Sequence, residues 1–218
     1  GQVYYAEIDK YANKVTEQHY PQDIALGDVT KWQEWNIDWP SIGLVTAGFP
    51  CQAWSVAGQQ QGDKDPRGML FWTTLDIISN VLKHNPSAKF MMENVKMKKD
   101  FEQYITHHTT EALGYVEKTL INSALVSAQN RNRYYWTNFP VTQPQDKKVS
   151  FQSFKGVGVN KNCIPNRTTS RIRMWSNGMG NNTSGSCANI TNSEKVYCLT
   201  SKQDRCPNSG MIQHDDFA

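Results

Sequence analysis

No apolar run in this 218-residue chain approaches the roughly 18 residues that a membrane-spanning helix needs. No positively charged, apolar leader precedes the first strand-like segment, so a secretory signal is not indicated. Neither sign of charge predominates: 23 basic against 20 acidic residues leave a net charge of +3. That balance permits an anionic partner but does not identify one. Cysteines number five, an odd count, and no two form a CxxC pair. A disulfide framework is therefore not expected, and reduced thiols in a cytosol-like compartment are. Cys187, Cys198 and Cys206 also lack a histidine at finger spacing, so zinc is set aside and they read as small apolar fillers. The glycosylation-like triplets starting at Asn166, Asn182 and Asn189 read as chance matches in an Asn-rich tail. Internal repeats are absent. So is an initiating Met: the chain opens inside a strand pattern, and we expect the polypeptide to extend upstream.

What is present is an alternation. Apolar content of 38% with 20% charged residues fits a globular chain of one sizeable domain and a smaller second part. "QVYYAEID" reads as a strand stopping at Glu7 and Asp9. "KYANKVTEQHYP" has helical apolar spacing and ends before Pro21. "DIALGDVT" is a short strand that turns at Asp28, and "SIGLVTAGFP" is a continuous apolar run like a buried parallel strand. "GMLFWTTLDIISNVLKHNP", apolar at 70, 71, 75, 78, 81 and 82, is an amphipathic helix closed by Asn85-Pro86. "AKFMMENV" is the next buried strand, and a helix then runs to Gly114. "VEKTLINSALVS" and "NRYYWTNF" read as a hairpin-like pair. The pattern predicts an α/β fold with a parallel sheet over the first two-thirds. Composition shifts near residue 140, giving a domain over 1–140 and a linker with a loop-rich region over 141–218.

In open α/β sheets, ligands bind beyond the carboxyl ends of the strands. Glu7, Asp28, Cys51 and Glu93 all fall at such ends, and the pattern predicts that they converge on one edge. Glu7 there suits ribose hydroxyls, or is an ordinary solvated carboxylate. Cys51 follows Pro50 and precedes the polar "QQQGDKDPRG" loop. A nucleophilic thiolate needs such a partly exposed corner, and a Gly/Gln loop beside it suits a lid. The alternative is a buried structural cysteine. Glu93 of "ENV" ends a buried strand, where burial would raise a carboxyl toward general-acid duty; capping the next helix is the plain alternative, with Asn94 fixing the turn. Arg131 and Arg133 in "QNRNRYYW" share a face if that segment is a strand. Two guanidinium forks suit a planar anion or carbonyl-bearing ring, or simply a solvated basic edge.

Taken in order, "EID" at 7–9, "GDVT" at 27–30, "GFPCQAWSVAG" at 48–58, "DPRGMLFW" at 65–72, "FMMENV" at 90–95 and "NSALVSAQNRNRYYWTN" at 122–138 resemble the DNA (cytosine-5)-methyltransferases of bacteria and phages. The resemblance covers roughly residues 3–140. It implies a Rossmann-like S-adenosylmethionine-dependent methyltransferase sheet with helices on both faces, followed by a small target-recognition region. It further implies that Cys51 attacks C6 of a cytosine flipped out of duplex DNA. Glu93 would act at N3 and the exocyclic amine, Arg133 at the base carbonyl, and Arg131 in support. Glu7, Ile8, Asp28, Val29 and Pro50 would bind the cofactor, S-adenosyl-L-methionine. Gln52, Ser55, Arg67 and Asn94 would serve the substrate side, and no metal is required. The family's glycine-rich first motif, which holds the methionine part of the cofactor, is not among these residues and is expected before Gly1.

The expected partner is double-stranded DNA containing a target cytosine, met by a monomer in the cytoplasm of a bacterial or phage-infected cell, with a role in restriction-modification or carried by a phage. Arg167, Arg171 and Arg173 are the candidates for DNA contacts in the tail. Two other readings stay open. One is tRNA cytosine-5 methylation by a relative with the same motifs. The other is a catalytically inactive homologue that grips DNA or a protein.

Overall fold

The computed structural model describes residues 1–50, 69–154 and 192–197. The chain divides into two compact units, one of residues 1–120 with 134–141 and one of residues 121–133 with 142–218.

The first unit opens with β1 (Tyr4–Tyr5) and β2 (Ile24–Ala25), paired in parallel with Tyr4 opposite Ile24. Parallel neighbours need a crossover, and α1 (Lys10–His19) supplies it. Asp9 starts that helix: its Oδ1 accepts the N–H groups of Tyr11 at 2.7 Å and Ala12 at 2.9 Å. Two of the helix's first free donors are thereby satisfied. After β2, Asp28 begins a 3-10 segment over Val29–Glu34, and a second 3-10 turn follows at Trp39–Ser41. Trp35 stacks on Trp39 and Trp39 on His84, which ties this connection to the end of the following helix.

The next three elements are β3 (Leu44–Gly48), α2 (Met69–His84) and β4 (Lys89–Val95). β3 and β4 are parallel, in a register running from Leu44 opposite Lys89 to Gly48 opposite Glu93. α3 (Lys99–Leu113) stops at Gly114, whose φ of 83° lies in the left-handed region where glycine bears no Cβ penalty. β5 (Glu117–Asn122) and β7 (Asn132–Thr137) complete a four-stranded sheet of order β3-β4-β7-β5. Asn138, one residue past β7, donates to Ala88 O at 2.9 Å and accepts from Phe90 N–H at 2.9 Å. The end of β7 thus meets the start of β4, as an antiparallel neighbour requires. The sheet is mixed.

Helical spacing explains the core. α2 turns Phe71, Leu75, Ile78 and Val81 inward at steps of three and four residues. β4 alternates, burying Phe90, Met92 and Asn94 while Met91, Glu93 and Val95 lie half-buried on the other face. Ile105 of α3 and Trp136 of β7 close the cluster. Polar ties reinforce it: the Trp136 indole donates to the Thr106 hydroxyl at 2.9 Å, and the buried Glu102 carboxylate pairs with Lys118.

Three expectations need revision. β1 and β2 form their own two-stranded sheet rather than joining β3 and β4 in one. β3 pairs in parallel as predicted but is not buried: Leu44 is 58% exposed, because β3 is the edge of its sheet. The segment predicted as one strand through Ser127 ends at Asn122, whose Oδ1 accepts the Ala124 N–H and turns the chain into a 3-10 turn over Ser123–Leu125.

Phe90 is fully enclosed, so Phe90→Ala removes its transfer free energy and leaves a cavity. We expect a loss of about 3–5 kcal/mol, read as a lower urea midpoint at unchanged slope.

Candidate active site

The strand ends of the first unit are arranged by the β3–β4 ladder. Gly48, the last residue of β3, lies opposite Glu93. A methyl built on Gly48 would sit 3.6 Å from Glu93 Oε2, so the carboxylate lies over the glycine backbone across the end of β3. The next residue on β4, Asn94, is 2% exposed. Its amide donates to Phe49 O at 3.3 Å, and its Oδ1 accepts the Val95 N–H at 2.7 Å. Asn94 therefore fastens the strand end that leads into Pro50 and Cys51. Both polar ends of its side chain are engaged by backbone. Pro50 is half-buried beside buried Phe49. Cys51, Gln52, Ser55 and Arg67 lie outside the described residues.

An open groove of about 640 Å³ runs beside β3. Tyr5 and Ala6 from the end of β1, Val29 after β2, and Val45, Phe49 and Pro50 from β3 and its extension line it. Val29 and Pro50 both line this groove. Trp35 also lines it, and its indole N–H has no hydrogen-bond partner among the described residues.

Glu7 and Asp28 stand at the ends of β1 and β2, and neither is among the groove-lining residues. Glu7 Oε1 accepts the N–H groups of Ile8 and Asp9, each at 2.8 Å. These bonds fix the turn and present Ile8 outward, 77% exposed. Asp28 Oδ1 accepts from Thr30 N–H at 2.9 Å and from the Thr30 hydroxyl at 2.8 Å. Both bonds fall on one oxygen and leave Oδ2 out of the turn. The Thr30 N–H, then its hydroxyl, hold the Asp28 carboxyl below the usual carboxylate range, with Lys31 adding to them against a small opposing effect of burial.

The second unit carries the arginine pair. β6 (Gln129–Asn130) pairs in parallel with β8 (Val196–Tyr197). Arg131 falls between β6 and β7 rather than inside one continuous strand. Its N–H donates to Asn122 Oδ1 at 3.0 Å, and its carbonyl accepts from Ser123 N–H at 3.0 Å. Arg131 and Arg133 are both half-buried, with exposed Asn132 between them; Arg133 Nη1 donates to Asn132 O at 2.8 Å. Arg167, Arg171 and Arg173 lie outside the described residues.

Sequence reasoning missed the work of Asn122 and Lys195. Asn122 lies within the "NSALVS" segment, where an Asn ahead of Ser-Ala is an available turn signal. Nothing local marks Lys195, because its partners lie 46 to 71 residues away. Among the described residues His107, His108 and Glu111 offer three donor atoms within 4.8 Å of one another on α3, where the histidines pair with the exposed Glu111 at 3.2 Å.

Two outcomes follow from this geometry. Asn94→Ala leaves Phe49 O and Val95 N–H without their partner in a buried place, and we expect a loss of about 1–3 kcal/mol in chemical denaturation. Asp28 has a folded pKa below its unfolded one, so its charge stabilises the fold above the unfolded value. That stabilisation is lost as pH falls through the folded value. In Asp28→Asn the cap remains and the charge does not, so the stability gap between the two proteins should narrow on acidification, read from urea midpoints across the acid range.

The family model for C-5 cytosine-specific DNA methylase matches residues 1–205. The Type II methyltransferase M.NgoBV of Neisseria gonorrhoeae is 36% identical over 164 residues, covering 69% of this chain and 37% of that protein. M.HpaII of Haemophilus parainfluenzae is 32% identical over 170 residues, covering 70% of this chain and 46% of that protein. The chain thus spans less than half the length of these curated relatives. Among solved structures, a Spodoptera frugiperda DNMT2 mutant aligns with a TM-score of 0.61 at 18% identity, covering 98% of this chain and 68% of that one. The Entamoeba histolytica methyltransferase EhMeth aligns with a TM-score of 0.58 at 14% identity, covering 90% and 62%. Both show a shared α/β methyltransferase fold. With the matched model spanning nearly the whole sequence and the strand ends arranged as described, the chain belongs to the C-5 cytosine-specific DNA methylase family.

Proposed function

We propose that this chain carries the catalytic part of a DNA cytosine-5 methyltransferase acting on a cytosine extruded from double-stranded DNA, as a monomer in the cytoplasm of a bacterial or phage-infected cell. The observation that carries the reading is the opposition of Gly48 and Glu93, fastened by Asn94 to Phe49 O. It holds a carboxyl at the strand end from which the chain continues into Pro50 and Cys51.

The chemistry asks for these residue types. Cytosine is a poor electrophile at C6 and a poor nucleophile at C5. A thiolate from Cys51 adds to C6, while Glu93 delivers a proton to N3 and accepts from the exocyclic amine. The ring electrons then reside at C5. After C5 has been alkylated, a base removes its proton, the C6–S bond breaks, and the thiolate leaves. Arg133 offers donors to the base carbonyl as negative charge grows there, with Arg131 in support. A hydroxyl in place of the thiol would add poorly and leave poorly. Gln52, Ser55 and Arg67, in the loop after Cys51, would contact DNA.

The family's methyl donor, S-adenosyl-L-methionine, supplies an electrophilic methyl on a sulfonium. The residues present fit its nucleoside end. Exposed Ile8 offers an apolar face for the adenine, Asp28 keeps Oδ2 outside its turn for an amino group, and Glu7 offers a carboxylate to ribose hydroxyls. Val29 and Pro50 line the adjoining groove. In this reading the catalytic domain covers 1–140, and 141–218 is a linker with part of the target-recognition region.

The test uses a protein containing this chain, duplex DNA with 5-fluorocytosine at the target, and the methyl donor. Fluorine cannot leave as a cation, so the adduct is trapped. A denaturation-resistant complex should form with the wild type and vanish in Cys51→Ser. Glu93→Gln should slow its formation by roughly 10²–10⁴-fold, the usual weight of acid–base catalysis. No complex with the wild type, or an equal one with Cys51→Ser, overturns the reading. A complex with tRNA in place of DNA would move the substrate to RNA.

A further inference from the structure

We propose that Lys195 is a positioning residue for the arginine-bearing segment 129–133, and that it acts through the main chain. The proposal rests on the reading of Arg131 and Arg133 given above. The Lys195 ammonium has three protons to donate. All three go to backbone carbonyls: Ala124 at 2.6 Å, Val149 at 2.7 Å and Ser127 at 2.9 Å. A lysine on a solvated surface would keep its ammonium in water or beside a carboxylate; here a half-buried charge serves as a three-way clasp.

Two of the three clasped carbonyls, those of Ala124 and Ser127, lead to the arginines. Ser127 and Ala124 belong to the turn that delivers the chain into β6. One residue along, Val196 N–H donates to Ala128 O at 2.9 Å, and then Gln129 pairs with Val196 and Asn130 with Tyr197. The Ser123 hydroxyl donates to Gln129 O at 2.9 Å. Arg131 follows, its N–H and carbonyl held by Asn122 and Ser123. A strand of two residues cannot fix its own path. The segment 193–197 fixes it from the far side, and is itself anchored by Phe151 N–H to Glu194 O at 2.7 Å and by the Gln152 amide to Ser193 O at 2.7 Å. Guanidinium groups that meet a base carbonyl must be placed within a fraction of an ångström. Lys195 sets the backbone from which they reach.

The role differs from general support of the fold, and two variants separate them. Lys195→Met keeps the aliphatic stem and removes the ammonium. Gln152→Ala also removes a bond from the same segment but leaves the three carbonyls clasped. Amide hydrogen exchange over 127–131 and steady-state methyl transfer are measured for both, in a protein containing this chain. Lys195→Met should speed exchange there and lower kcat, each by roughly tenfold or more. Its KM for DNA should stay close to the wild-type value, since the interaction lost is one made with the reacting base. Gln152→Ala should leave kcat and the exchange near wild type, and Lys195→Arg, which retains donors and charge, should recover most of both.

Wild-type exchange in Lys195→Met overturns the proposal. So does an equal kcat loss in Gln152→Ala, or a rise in KM at unchanged kcat. If Lys195→Met does not fold, wild-type exchange and kcat in Lys195→Arg still support the clasp, and a loss in Lys195→Arg equal to that of an unfolded chain counts against it. A wild type that transfers no methyl would sink the functional reading, and the exchange measurement would still decide whether Lys195 holds the segment.

Discussion

The parallel ladder between β3 and β4 is the constraint on which the first unit depends. Side chains on a strand alternate with a period of two, so a slip of one residue would send every group to the opposite face. Here the register is fixed at both ends. Lys89 N–H bonds to Gly43 O at the start, and Asn94 bonds to Phe49 O at the finish. Phe90 and Met92 must enter the core for the fold to be stable, and once they do, Glu93 has to stand on the other face, over Gly48. The placement of the carboxyl is thus a by-product of hydrophobic burial one and three residues earlier.

Much of this is legible in the order of residues alone. The helices over Lys10–His19, Met69–His84 and Lys99–Leu113 follow from periodic apolar residues and from Pro and Gly stops, signals confined to a dozen neighbouring residues. The parallel pairing of β3 with β4 follows from an intervening helix. What is not legible depends on partners far away in sequence. The run "SIGLVTAGFP" is apolar enough to be buried, and only its place at the edge of the sheet leaves Leu44 exposed. Asn94 reads as a residue that fixes a turn; that its side chain faces the core and reaches Phe49 O depends on alternation along β4 and on a partner 45 residues away.

The two units use different means to present their polar groups. Around Gly48 and Glu93 the support is a hydrophobic core, with Phe49, Phe71 and Met92 behind the strand ends. Around Arg131 the support from the described residues is polar: Asn122, Ser123 and the Lys195 ammonium hold a path with few regular strand bonds. A core resists displacement through close packing. A network of hydrogen bonds to carbonyls is directional and specific, and its members strengthen one another by polarisation.

The exposed edge of β3 has a consequence for how the chain behaves in company. Leu44 to Gly48 is an apolar strand whose second edge has no partner among the described residues, opening instead beside the groove. Unpaired amides and carbonyls in such a row accept any extended segment of suitable character, including another copy of the same chain. An added charge at such an edge, as at Leu44, is the kind of gatekeeper that opposes pairing of this sort.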